Sequence, residues 1–137
     1  TLSVMEQIPA SILLPAVMKK AGLVWLQLSD RSPVGAWHIW HDDACYVVHG
    51  GNEQQVPGLT EAARCRVITR SANTRARTAE WAAAVTTVAP NSREWTEVAP
   101  LLLANRLNLT DHDTALERWA IECTVSRLQP SFTTATQ

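Results

Sequence analysis

The stretch that decides the fold is "AWHIWHDDACYVVHGG", residues 36 to 51. Two apolar and aromatic runs stand on either side of a short polar segment that contains Asp42 and Asp43. Runs of this composition around an Asp-rich turn are typical of a β-hairpin. We therefore predict two antiparallel strands, followed by a loop that begins at the glycine pair Gly50 and Gly51.

The sequence leaves the length of the hairpin turn open. If the turn takes two residues, His38 lies opposite Val47 and diagonal to His49 on one face. If the turn takes three residues, His41 and His49 share a face instead. Only two histidines converge in either register, whereas zinc usually has three or four ligands. We therefore predict no metal site.

Further strands are predicted outward from the hairpin. The segments "LVWLQLS" (residues 23 to 29), "CRVITRS" (65 to 71), "RARTAEWAAAVTTVAP" (75 to 90) and "ECTVSRLQP" (122 to 130) read as strands. The segment "DRSPVG" (30 to 35) reads as a loop, and "LTEAAR" (59 to 64) as one helical turn. Six strands joined mostly by hairpins exclude a doubly wound parallel sheet and indicate an antiparallel barrel with helices at its edges.

Three short helices complete the prediction. The first runs from Pro9 or Ala10 to Lys20, with an interruption or kink near Pro15, and the third lies within residues 109 to 120. The second, within residues 91 to 109, is the clearest, because its apolar residues recur at helical spacing. Its predicted cap is Asn91, with Glu94 completing a capping box, and Pro100 should kink it or start another helix. Its predicted buried stripe is Trp95, Val98, Ala99, Leu102 and Leu103.

Composition limits the classes of protein. The 137 residues indicate one domain over residues 1–130 with a flexible tail at 131–137. Twelve basic against 13 acidic residues give no electrostatic reason to expect a nucleic-acid partner. No apolar run approaches the ~20 residues of a membrane span. The three cysteines are widely spaced, which fits a reduced, cytoplasmic protein.

Candidate ligand contacts from the residues alone keep their simpler alternatives. The glycine pair permits close backbone approach to an anion, or forms a plain turn. Arg70 could clamp a phosphate together with its neighbours, or be a solvated charge at a strand end. Trp40 could stack on a ligand, or pack in a core or interface. The chain has no GxSxG nucleophile motif and no Walker loop, and it identifies no catalytic residue.

The succession of elements, with the segments GG-x-EQ-x-x-PGL (from residue 50) and RW-x-x-EC-x-V (from residue 118), resembles the pyridoxamine phosphate oxidase-like, FMN-binding split-barrel superfamily, and in particular its small actinobacterial members. The resemblance covers residues 10 to 130. It implies a mainly β fold with α: a six-stranded antiparallel split β-barrel with short flanking helices. It also implies a homodimer with FMN or a deazaflavin in a groove between the subunits.

From this resemblance we expect a small flavin- or deazaflavin-dependent oxidoreductase. The expected cofactor-binding residues are Trp40, His49, Gly50, Gly51, Gln54 and Arg70. Trp40 and His49 would contact the ring, and Arg70 the phosphate. The loop at residues 50–58 contains no lysine or arginine, and its Glu53 would repel a phosphate, so Arg70 or Arg106 is expected to supply the positive charge. The alternative is a non-catalytic dimeric split barrel that binds another small molecule or no flavin at all.

Overall fold

The computed structural model describes residues 10–29, 31–70, 77–106 and 112–131. The described strands are β1 (Val24–Gln27), β2 (Val34–Ala36), β3 (Ile39–His41), β4 (Ala44–His49), β5 (Arg64–Arg70), β6 (Arg77–Val88) and β7 (Thr124–Pro130). The described helices are α1 (Ala10–Lys20), α2 (Arg93–Asn105) and α3 (Ala115–Glu122), the last preceded by a 3₁₀ turn at His112–Thr114. The turn predicted between β5 and β6, the predicted start at Pro9 and the tail from residue 132 lie outside the described residues.

The strands form one antiparallel sheet in the order β2-β1-β5-β6-β7-β4-β3. Its two edge strands, β2 and β3, are consecutive in the chain and separated by Trp37 and His38 alone. Three Cα steps reach about 11 Å at most, whereas the edges of a flat seven-stranded sheet would be about 29 Å apart. The sheet must therefore curl until its edges meet, which confirms the predicted split barrel. We call the Trp37–His38 link the seam.

The barrel has seven strands among the described residues, one more than predicted. The extra strand is β2, which lies in the segment predicted as a loop and pairs Gly35 with Trp25 of β1. A Cβ at Gly35 would lie 3.3 Å from the Trp25 ring, so the glycine lets this strand pass close to the indole. Three residues after Pro33 are too few to show a strand period, so β2 cannot be recognised from its sequence pattern.

The hairpin turn takes two residues. Ile39 pairs with Tyr46 and His41 pairs with Ala44. Asp42 and Asp43 both have positive φ angles, 52° and 60°, as a type I′ turn requires. The first of the two registers left open by the sequence is therefore the observed one.

Strand β4 separates two apolar cores, and all six of its residues are buried. Cys45 and Val47 face a first core inside the curled sheet, together with side chains of β1, β5, β6 and β7 and with Leu14 and Met18 of α1. The alternate residues Ala44, Tyr46 and Val48 face a second core, which α2 and α3 cover. The period of two thus fixes the register of β4, because a slip of one residue would exchange its two faces.

Helix α2 begins one residue later than predicted. Its N-cap is Ser92, whose hydroxyl accepts a hydrogen bond from the Trp95 N–H at 3.1 Å, while Asn91 has a positive φ of 64°. All five residues of the predicted stripe are buried. Neither Pro100 nor Pro15 divides its helix, so burial of the apolar stripe outweighs the backbone bond that a proline removes. In the segment predicted as a helical turn, residues 59–63 form an irregular turn and Arg64 already belongs to β5. Within the described residues, every helix is too short or too polar to cross a membrane.

Candidate functional site

A cleft of about 850 Å³ opens beside the edge strand β3, between the C-terminal ends of α1 and α2. Its size falls within the roughly 300–1,000 Å³ of small-molecule sites. Two indole rings, Trp37 and Trp40, line it together with two cations, Lys19 and Arg106. Among the described residues, those that line the cleft include no carboxylate. The cleft can therefore accept a ligand that combines a planar ring with negative charge.

The aromatic wall of the cleft is fixed at the seam. Trp37 donates its backbone N–H to Gln54 Oε1 at 2.9 Å, and Gln54 Nε2 donates to the Trp37 carbonyl at 3.0 Å. The same amide nitrogen also donates to the Val48 carbonyl at 3.0 Å. The side-chain amide of Gln54 thus supplies the hydrogen bonds that a neighbouring strand would give elsewhere in the sheet.

The cationic wall is anchored by a buried carboxylate. Arg106 Nε donates to Glu53 Oε1 at 2.8 Å, and Arg118 of α3 donates to Glu53 Oε2 at 3.2 Å. The Glu53 side chain is 1% exposed. Burial by itself would raise the pKa of Glu53, but the N–H groups of Arg106, the Trp119 indole and Arg118, together with the charge of Arg106, outweigh it and hold that pKa below its usual value. Arg106 also lies over the Trp37 ring, 5.9 Å from its centroid, which is a cation–π contact.

The second seam residue, His38, is also held from two sides. Its Nε2 lies 3.3 Å from the Met18 carbonyl, and its own carbonyl accepts from Asn105 Nδ2 at 2.9 Å. A carbonyl can only accept, so Nε2 carries the proton. Burial lowers the pKa of His38, and the imidazole is therefore neutral at pH 7. His38 contributes shape and polarity to the cleft rather than charge.

The three histidines that the sequence analysis considers as zinc ligands have three different partners. His38 contacts the Met18 carbonyl, His49 hydrogen-bonds Ser126 Oγ at 2.8 Å, and His41 contacts Glu97. A different trio, His41, Asp42 and Glu97, places its ligand atoms within 4.8 Å of one another at the hairpin tip. Its two carboxylates are exposed, and solvated groups at such spacing need no ion. The absence of a metal site stays a prediction.

Comparison with known proteins identifies the fold. No family model and no curated protein matches the chain. Among solved structures it resembles HutZ, the heme storage protein of Vibrio cholerae, with 13% identity and a TM-score of 0.61 over 90% of this chain and 92% of that one. It resembles a Listeria innocua protein named for pyridoxamine 5′-phosphate oxidase, with 8% identity and a TM-score of 0.59 over 90% and 94%. It also resembles an FAD-binding protein of Mesorhizobium loti, with 11% identity and a TM-score of 0.54 over 90% and 89%.

The chain has the pyridoxamine phosphate oxidase-like split-barrel fold. At 8–13% identity these likenesses speak for the fold alone. The fold expected from the sequence resemblance is thereby confirmed.

Within this split barrel, the structure separates the six predicted cofactor contacts. Trp40 lines the cleft and packs edge-on against Trp81, with ring centroids 6.1 Å apart. Arg70 does not line it and lies over the Trp25 ring at 5.9 Å. His49 is buried against Ser126, away from the cleft lining.

The glycine pair faces its own chain at the start of β7. A Cβ at Gly51 would lie 3.1 Å from Cys123 Sγ and 3.2 Å from Glu122, and the Gly50 N–H donates to the Gln54 carbonyl at 2.9 Å. Both glycines have positive φ angles, as predicted for a tight turn. The loop at residues 50–55 thus stands behind the cleft, and direct ligand contact by its residues stays a prediction.

Three residues of the cleft went unrecognised in the sequence: Lys19, Trp37 and Asn105. Each carries only an ordinary local signal: Lys19 is a basic residue at a helix end, Trp37 lies in the predicted hairpin, and Asn105 lies in a predicted helix. The fold brings them together at the cleft. Arg106 was expected to supply positive charge from outside the loop, and it does line the cleft.

Proposed function

We propose that the protein binds FMN or a deazaflavin in the cleft beside β3, at a groove shared by a homodimer, and acts as a small oxidoreductase. The observation that carries the proposal is the pairing of an indole ring with a cation at one wall, Trp37 with Arg106. The names of two similar structures, an FAD-binding protein and a pyridoxamine 5′-phosphate oxidase, support a flavin on this fold.

The residues of the cleft fit such a cofactor. Trp37 and Trp40 bring aromatic surface to the wall of the cleft, which suits an isoalloxazine or deazaflavin ring. Arg106 and Lys19 offer cations for its phosphate, and arginine forms forked hydrogen bonds to phosphate oxygens. Of the described part of the chain, no carboxylate lines the cleft to repel that phosphate. Glu53, which the sequence predicts to repel a phosphate, forms ion pairs with Arg106 and Arg118.

When bound, the cofactor supplies hydride transfer, and the protein supplies position and electrostatics. Trp37 and Trp40 would orient the ring, and Arg106 would hold the phosphate. His38, neutral and anchored on Met18, would shape the wall beside the ring. We assign no residue to an acid or base step.

A second subunit is part of the proposal. Leu23 and Leu101 are large apolar residues on the rim of the cleft, 50% and 41% exposed. Apolar residues exposed beside a ligand cleft suit coverage by another protein surface. A second copy of the chain laid over this rim would exclude water from the cleft.

The runner-up is a non-catalytic dimer that binds another planar molecule or no flavin. It is favoured by the likeness to HutZ, whose name describes heme storage rather than catalysis. A haem presents a planar ring with carboxylates, which the same indoles and cations would accept.

The test is an absorbance spectrum of the purified protein across the flavin and haem bands, followed by titration with FMN and a deazaflavin. Saturable quenching of tryptophan fluorescence is expected. Arg106→Gln should weaken FMN binding about 10- to 100-fold, since a hydrogen bond to a charged group contributes roughly 1.5–3 kcal/mol. Arg70→Gln is the matched control and should change it less than threefold.

Quenching by neither cofactor, with a colourless protein, would reject flavin binding and favour the runner-up. A larger loss from Arg70→Gln than from Arg106→Gln would restore the phosphate role predicted from the sequence. Light scattering on the eluting protein tests the dimer, which a single-subunit mass would contradict.

A further inference from the structure

We infer that Glu53 and Gln54 are positioning residues, which make the cleft selective for a phosphorylated ligand by fixing Arg106 and Trp37 without lining the cleft themselves. The inference rests on the proposed function in placing the ligand in this cleft. It concerns the loop at residues 50–55, whose glycine pair permits close backbone approach to an anion.

The first step is the location of the Glu53 carboxylate. It is 1% exposed and is absent from the cleft lining, so a ligand in the cleft does not touch it. It accepts from Arg106 through Oε1 and from Arg118 through Oε2. The two oxygens of one carboxylate thus hold guanidinium groups from two different parts of the chain.

The second step is the orientation of Arg106. The hydrogen bond from Arg106 Nε to Glu53 restrains the Arg106 side chain at its guanidinium group. The same group lies over the Trp37 ring. An arginine held at two places loses little further rotamer freedom when it binds an anion. The geometry therefore prepares the cation before a ligand arrives.

The third step is that the next residue in the chain holds the other member of the pair. Gln54 hydrogen-bonds the N–H and the C=O of Trp37. Two consecutive loop residues thus fix a cation and the ring beneath it, one through a side chain and one through the backbone. The loop sets the wall of the cleft from behind.

Two roles of Glu53 predict opposite results. If Glu53 positions Arg106, then Glu53→Gln should weaken binding of a phosphorylated ligand more than that of its unphosphorylated analogue. If Glu53 only balances charge, its removal leaves an extra positive charge, and binding of the phosphorylated ligand should tighten.

The experiment compares the Kd of FMN with that of riboflavin, which lacks the phosphate, by tryptophan quenching. In the wild type FMN should bind at least tenfold more tightly than riboflavin. Arg106→Gln and Glu53→Gln should each reduce that ratio to below threefold, and Glu53→Asp should restore part of it. Asn52→Ala, at an exposed neighbour in the same loop, is the control and should leave the ratio within twofold. The double variant should equal Arg106→Gln alone, since both changes remove one effect.

A second readout needs no flavin. The indole N–H signal of Trp37, assigned by its loss in Trp37→Phe, should shift in both Glu53→Gln and Arg106→Gln and stay in place in Asn52→Ala. If neither flavin binds but these shifts occur, the proposed function fails and the positioning role stands. Tighter FMN binding by Glu53→Gln, an equal loss for FMN and riboflavin, or an unmoved Trp37 signal would overturn the inference. Glu53→Asp provides the comparison if Glu53→Gln does not fold.

Discussion

Gln54 Oε1 and Nε2 hydrogen-bond the backbone N–H and C=O of Trp37, at 2.9 and 3.0 Å. Trp37 lies at the seam, where the chain leaves β2 and has not yet entered β3, so a neighbouring strand does not supply these bonds. A primary amide suits the task because it carries a donor and an acceptor side by side. A single side chain therefore completes the curled sheet at its narrowest connection.

Replacing Gln54 should destabilise the fold. Gln54→Ala removes the partners of three backbone groups, and each half-buried group left unpaired costs roughly 1–3 kcal/mol, so we expect a loss of about 3 kcal/mol. Gln54→Glu should cost at least as much at neutral pH, because a carboxylate oxygen would face the carbonyls of Trp37 and Val48. Urea unfolding measures both changes. Asn52→Ala, at an exposed position of the same loop, is the control, and a loss as large as that of Gln54→Ala would refute the special role of Gln54.

Glu53 should make stability depend on pH in the acid range. Its folded-state pKa lies below the ordinary 4.5, so the unfolded chain binds the proton more readily. Its contribution to stability is therefore full above about pH 5 and is lost as pH falls through the folded-state pKa. Glu53→Gln should lose about 3 kcal/mol at pH 7. Its deficit relative to the wild type should shrink as the pH is lowered below 4.

Urea unfolding of the wild type and Glu53→Gln between pH 3 and 7 checks this expectation. Glu117→Gln, a change of an exposed residue on α3, is the control. A deficit that stays constant across the whole range would show that Glu53 acts through packing rather than through its charge.

Tyr46 should ionise at unusually high pH. Burial raises the pKa of Tyr46 to about 12, and its hydrogen bond to Glu94 at 2.7 Å adds to the effect, with Arg127 opposing it. Because Tyr46 is the one tyrosine of the sequence, phenolate absorbance reports it alone. Glu94→Gln should lower the midpoint while leaving it above the ordinary 10.0. Circular dichroism at each pH verifies that the fold persists, and a midpoint near 10 in the folded wild type would contradict the buried hydrogen bond.

Two buried histidines should destabilise the fold in mild acid. Burial lowers the pKa of His38 and of His49 below 6.5, although Glu61 partly opposes the shift at His49. The unfolded chain then takes up protons first, so stability is full above about pH 6.5 and falls as the pH is lowered toward the folded-state values, by up to about 1.4 kcal/mol per pH unit for each histidine. Urea midpoints at pH 7 and 5 measure the loss. His49→Gln should be less stable at pH 7 yet lose less on acidification, and an unchanged loss would exclude His49 as a source.

Local patterns revealed much of the fold and little of the site. Helical spacing identified the buried stripe of α2, because packing against one core imposes the period directly. The sequence predicts the hairpin because packing against a core also imposes a period on its strands, here of two residues. It does not predict β2, because three residues have no measurable period. The partners of Glu53 are 53 and 65 residues away in sequence, so its charge could not be matched with theirs before the fold was known. The cleft is formed by such distant pairs, and the sequence predicts only that a tryptophan and an arginine contact the ligand.

The seam is the connection that closes the barrel. Trp37 and His38 alone connect the edge strands β2 and β3, and both residues line the cleft. A ligand bound there therefore contacts the connection that closes the barrel. Ligand binding in the cleft would therefore also stabilise the closed barrel, and a tightly bound ligand should slow the unfolding of every strand around it.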